Sequence, residues 1–108
     1  MAVSAINMFR LRPGVALAEF ERFSAELDRP VCLAFDVVLS FDVFFVDDPG
    51  PGGADVIEVM TVTSWPGWQQ LLAEAPELEP VLARFGELVD PDSVTTILTR
   101  PSALPQEI

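Results

Sequence analysis

The chain has 108 residues, enough for one domain in which a layer of helices covers a sheet. Its six basic residues are all arginine and stand against seventeen acidic ones, for a net charge of −11. That balance excludes the basic footprint nucleic acid requires and argues against anionic membrane surfaces.

Val3 to Leu11 alternates weakly and reads as a first strand, with Val3, Ala5, Asn7, Phe9 and Leu11 on one face. Arg12-Pro13-Gly14 ends it. A helix follows over about Val15 to Leu27, its apolar stripe made by Ala16, Phe20, Phe23 and Leu27. Asp28-Arg29-Pro30 is expected to stop this helix, because a residue before proline disfavours the helical region. Val31 to Ala34 then connects to a second strand, Phe35 to Val46, which is mostly β-branched or aromatic.

Both faces of that strand are largely apolar, whereas a strand with one wet face alternates cleanly. Two-sided burial is therefore expected, one cover coming from the chain's own helices and the other from a second copy in a homodimer. The Pro/Gly-rich run 47–53 closes a hairpin to a third strand, Asp55 to Thr63. Ser64 suits a helix N-cap, with Pro66 in the first turn of a helix reaching about Ala75. Pro76 interrupts it. Glu79 to Leu88 forms a further helix with Val81, Leu82, Phe85 and Leu88 as its core stripe. Asp90-Pro91-Asp92 turns into a last strand, Val94 to Thr99, and Pro101 and Pro105 mark a tail that can lie across a neighbouring subunit. The order is β-α-β-β-α-(α)-β, which is ferredoxin-like α+β with a four-stranded antiparallel sheet.

Chemistry is bounded by what is missing. Without histidine there is no His-based triad or His metal site; without lysine, no Schiff base; without tyrosine, no phenolic acid. No metal and no tightly bound cofactor are expected. Cys32 stands alone, which excludes an intrachain disulfide and fits a reducing, cytoplasmic compartment. No basic region followed by an apolar run opens the chain, and residues 31–46 are interrupted by Asp36 and Asp42, so neither a signal peptide nor a membrane span is expected.

Two registers are open to the central hairpin. The one giving a wholly apolar core places Phe41, Val43 and Phe45 with Ile57 and Val59, and leaves Asp42 and Glu58 with Ser40, Phe44 and Met60 on the opposite face. A slip by one residue places Asp42 with Val59 and Glu58 with Val43. The first is preferred. Paired carboxylates in an apolar setting raise at least one pKa and can serve as acid and base. Glu58 and Asp42 are candidates for that work; each can instead pair with an arginine or sit at the dimer interface. Asn7, in mid-strand, is either a pocket-lining polar group or a satisfied core amide. Trp65 and Trp68 either wall a cavity or cap the core. Arg29 can clamp an anionic group or answer the local acids. Phe20, Phe23 and Phe85 are core residues that can also line the cavity, and Ser40 is a further contact candidate.

The segments LRPGVALAEFERFSAELDRP, FDVVLSFDVFFV and ADVIEVMTV resemble the RedY-like (HapK) family, over about residues 5–100. The matching features are Leu11 with Pro13-Gly14, the acidic residue ahead of Pro30, the strand around Phe41, and Ile57-Glu58-Val59. The resemblance implies a dimeric α+β barrel. It also implies condensation or cyclisation of a small aromatic, nitrogen-containing (pyrrole- or bisindole-type) intermediate without a tightly bound cofactor. A wider resemblance links the chain to cofactor-independent monooxygenases of the same barrel superfamily, some of which place an Asn on strand one and a Trp after strand three, as Asn7 and Trp65 or Trp68 stand here. A carrier that protects such an intermediate without turning it over is the non-catalytic alternative.

Overall fold

Four strands make one antiparallel sheet in the computed structural model, which describes residues 2–102. They are β1 (Val3–Phe9), β2 (Val38–Phe45), β3 (Val56–Val62) and β4 (Thr95–Thr99), in the spatial order β2-β3-β1-β4. The helices α1 (Leu17–Phe23), α2 (Arg29–Leu33), α3 (Trp65–Glu74) and α4 (Glu79–Leu88) lie in the two long connections. This is the ferredoxin-like arrangement that the element order predicts. The matching core is built from the helix-side residues Phe9, Val56, Val62 and Phe41 of the sheet with Phe20, Leu78 and Leu88 above them. Phe9 is fully buried and meets Phe20 and Phe85 edge to face, at ring-centroid distances of 5.5 and 5.2 Å. Each such ring contributes about 1.5–3 kcal/mol through burial alone.

Helix three starts as its sequence predicts: the Ser64 hydroxyl accepts from the Gly67 N–H at 3.1 Å, and Pro66 needs no donor in the first turn. Helix one does not end at Pro30. It widens into a π-turn over Ser24–Asp28 and continues as α2 to Leu33. The π-turn removes the steric conflict that made the proline look like a stop. A proline ring in an α-helix meets the carbonyl four residues back, and here the Arg29 N–H instead bonds the Ser24 carbonyl five residues back. The supposed connector 31–34 is therefore mostly helical, and β2 begins at Val38 rather than Phe35.

The hairpin adopts the second register and not the one with the wholly apolar core. Phe41 pairs with Met60, Val43 with Glu58 and Asp42 with Val59. Burial along β3 falls on Val56, Glu58, Met60 and Val62, so Glu58 faces the helices and Ile57 and Val59 face away. Asp42 and Glu58 are on opposite sides of the sheet. A bulge between Val38 and Ser40 also breaks the strict alternation in β2 and puts Val38, not Leu39, against the helices. Leu11 lies beyond β1, in an isolated bridge with Val89. On α4, Val81 and Leu88 are buried, whereas Leu82 is 46% exposed because it stands at the rim of a cavity. Pro105 falls outside the described residues. Among those described, no helix is long and apolar enough to cross a membrane.

Candidate active site

The register that buries Glu58 also builds a cavity. It has a volume of about 320 Å³ and lies between the helix side of the sheet and α2, α3 and α4. Ala5, Phe41 and Met60 form its floor; Trp65, Trp68, Leu78, Val81 and Phe85 form much of its wall. Polar groups reach it from only a few positions. Glu58 enters from the middle of β3, flanked by Asn7 on β1 and Val43 on β2. Its carboxyl is buried: Glu58 is only 4% exposed, and its Oε2 has no hydrogen-bond partner among the described residues. An orphaned buried carboxyl oxygen is costly, so its retention points to a use.

Asp28 and Cys32 descend from the helical side. The buried row Phe20, Ser24, Asp28, Cys32 has a constant spacing of four. On a regular α-helix each step of four overshoots a full turn by about 40°, and such a row would wind away from the sheet. The wider π-turn absorbs that drift, which keeps Phe20 in the core while Asp28 and Cys32 face the cavity. The Cys32 thiol donates to Asp28 Oδ1 at 3.4 Å.

Burial raises Asp28 to about 6, against smaller opposing effects from the Cys32 hydrogen bond and the Arg29 charge. Glu58 rises further, to about 8: burial comes first and the Asp28 charge second, with a hydrogen bond from Asn7 and the charge of Arg29 pulling the other way. Burial and the neighbouring Asp28 also push the Cys32 thiol up, so it is held protonated rather than activated as a nucleophile. At neutral pH Asp28 is then ionised and Glu58 carries a proton. Two carboxyl groups with separated pKa values are the physical condition for an acid and a base in one site.

Thr96 on β4 sets the orientation of Asn7. Its hydroxyl donates to Asn7 Oδ1 at 2.7 Å, leaving the amide NH₂ for Glu58. Among the residues singled out from sequence, Asn7, Glu58, Trp65, Trp68 and Phe85 line the cavity. Phe20 and Phe23 are buried in the core and do not line it. Arg29 is also absent from the lining; its Nε donates to Ser24 Oγ at 3.0 Å. Ser40 and Asp42 lie on the far face of the sheet, Asp42 exposed and opposite Val59. Asp28, Cys32, Gln69 and Thr96 also line the cavity, and none of them reads as a site residue in the sequence. The four-residue spacing from Phe20 to Cys32 was the available signal for two of them. Among the described residues, no three His, Cys, Asp or Glu side chains gather as a metal site.

A model of the REDY-like protein HapK family matches residues 3–101. The chain belongs to that family. HapK from Hahella chejuensis superposes with a TM-score of 0.74 at 17% identity, covering 98% of each chain. Two other similar structures share the fold. SnoaB, a cofactor-independent oxygenase from Streptomyces nogalater, gives a TM-score of 0.74 at 19% identity over 97% of this chain and 98% of its own. A dimeric ferredoxin-like protein of unknown function from Bacteroides fragilis gives 0.68 at 16% identity over 91% and 94%. Comparison with curated proteins returns no significant match. Within this HapK-family chain, the cavity holds the buried acid Glu58, the half-buried Asn7 beside it and both tryptophans.

Proposed function

We propose that this HapK-family protein is a homodimeric biosynthetic enzyme that moves a proton on a small aromatic, nitrogen-containing intermediate, assisting its condensation or cyclisation without a tightly bound cofactor. The observation that carries the reading is the buried Glu58 carboxyl, its Oε2 without a partner, in an apolar, aromatic-walled cavity. Glu58 is the general acid at neutral pH, and Asn7 holds its position and takes a hydrogen bond or gives one to the substrate. Trp65, Trp68 and Phe85 offer ring faces for stacking. The apolar walls fix one pose and keep water from a reactive intermediate. The far face of the sheet supports the homodimer, because Phe44 and Ile97 on it are about half exposed in the single chain.

Product analysis in the reconstituted pathway tests the reading. With protein present, one product should accumulate catalytically; Glu58→Gln should lower kcat by about 10²–10⁴-fold, the range for losing a general acid. An unchanged product mixture removes the enzyme reading. Protection that stops at one intermediate per subunit replaces it with the carrier.

A second reading, cofactor-independent oxygenation, is favoured by the meeting of Asn7, Trp65 and Trp68 in one cavity and by the likeness in fold to SnoaB. Incorporation of oxygen-18 from labelled dioxygen into product distinguishes it.

A further inference from the structure

The cavity's polar charges are of one sign. Asp28 and Glu58 both line it, and neither forms an ion pair among the described residues. The cation nearest to both in effect, Arg29, is outside the lining and has its Nε engaged by Ser24. Aromatic rings supply much of the remaining wall, and their faces attract positive charge. The whole chain carries −11, which favours the approach of a cation over that of an anion.

From this juxtaposition we propose that the cavity selects a planar aromatic cation, of the amidinium or iminium type, whose N–H groups are held by Asp28 and Glu58. The inference rests on the reading of this cavity as the substrate site and adds the charge of what it takes. The orphaned Glu58 Oε2 gains the donor it lacks. A charged N–H on an ionised carboxylate makes a bond roughly twice as strong as a neutral pair. A neutral basic nitrogen reaches the same state by taking the Glu58 proton. The carboxyl O–H bond breaks, an N–H bond forms, and the carboxylate left behind faces the new cation.

The groups that titrate around this pair are the two carboxyls themselves and the Cys32 thiol on α2, with Arg29 as the fixed charge; the lining residues from β1, α3, α4 and β4 carry no formal charge. Ionising Glu58 adds a second negative charge, so affinity for a cation rises as pH increases through about 8.

The test is calorimetric titration of the full chain with three probes of one shape: naphthalene-2-carboxamidine, naphthalene-2-carboxamide and naphthalene-2-carboxylate. At pH 7 the amidinium should bind at least about tenfold more tightly than the amide, and the carboxylate weakest. Asp28→Asn should bring amidinium and amide to within about threefold. Glu58→Gln should keep the preference at pH 7 but abolish the rise between pH 7 and 9, above the range in which Asp28 titrates, and circular dichroism of each variant confirms folding. If the amide or the carboxylate binds as tightly as the amidinium to the wild-type chain, the charge assignment is wrong while the cavity stands as an aromatic site. If none of the three binds, both the charge assignment and the site reading are overturned.

Discussion

Glu58 couples the cavity to stability as well as to chemistry. Its ordinary value of 4.5 applies to the unfolded chain, and the folded value is about 8. The folded form therefore holds the proton more tightly between those values. The stabilisation is fully present below about 4.5 and is lost as pH rises through about 8. Asp28 adds the same sign over the lower window, from 3.8 to about 6. The melting temperature should accordingly fall as pH is raised from 5 to 9, and the fall should be shallower in Glu58→Gln. A wild-type profile parallel to that of the variant would remove the raised Glu58 pKa. Thr96 acts one step further out. With Thr96→Val the Asn7 amide is no longer held with its NH₂ toward Glu58, and the charged form of Glu58 loses a donor. The Glu58 pKa, followed by carbon-13 NMR of its carboxyl, should move up, and kcat should fall several-fold, about the worth of one hydrogen bond. A Thr96→Ser variant keeps the hydroxyl and should restore both.

The helical connection before β2 is the element on which the site depends most. Asp28 reaches the cavity because the π-turn Ser24–Asp28 absorbs one extra residue. Deleting Ala25, which is exposed in that turn, should convert the segment to a continuous α-helix. Seven regular steps of about 100° then lead from Phe20 to Asp28, about 20° short of two full turns, so Asp28 and Cys32 keep facing the cavity. Helix content by circular dichroism should hold, and kcat/KM should stay within about threefold of the wild type, because the cavity keeps its lining. A loss of tenfold or more in a folded deletion variant would show that the widened turn does more than absorb the extra residue. The same element explains why the sequence does not mark Asp28 as a cavity residue. The stripe Ala16, Phe20, Phe23, Leu27 fits a regular helix that stops at Pro30, and only a widened turn makes Phe20, Ser24, Asp28 and Cys32 one face.

Across the whole molecule, the sheet has two buried-looking faces and one layer of helices. The side away from the helices carries Ile6, Met8, Ile57 and Val59 with Phe44 and Ile97, the last two 54% and 45% exposed in the single chain. A second copy of the sheet is the cover proposed for it. Phe44→Glu puts a charge in the middle of that face. Light scattering should show a dimer for the wild type and a monomer for the variant, with a melting temperature lower by several degrees, the effect of losing about 1–2 kcal/mol in a domain this size. A monomeric wild-type chain would refute the covered face. Since the cavity lies on the opposite side, the amidinium preference should survive in the variant.

Local signals in the sequence were enough for most of the elements. Pro76, Pro91, the Ser64 cap and the Pro/Gly run mark ends that need no partner to be read, whereas the first helix runs past Pro30; the order of strands and helices then admits few topologies. The residue motifs around Pro13-Gly14 and Ile57-Glu58-Val59 carried the family. Asn7, Glu58, Trp65, Trp68 and Phe85 were legible as candidates because polar or large aromatic residues stood out against their surroundings. Which face Glu58 occupies was decided only in three dimensions. The two hairpin registers differ by one residue and turn every side chain over, and the cleanest apolar core argued for the wrong one. The folded chain instead accepts a buried acid beside Val43 and opens a cavity around it, which no count of apolar residues along one strand can reveal. Pairing Glu58 with Asp28 likewise required the π-turn, because the two are thirty residues apart and meet only where helix and sheet pack together.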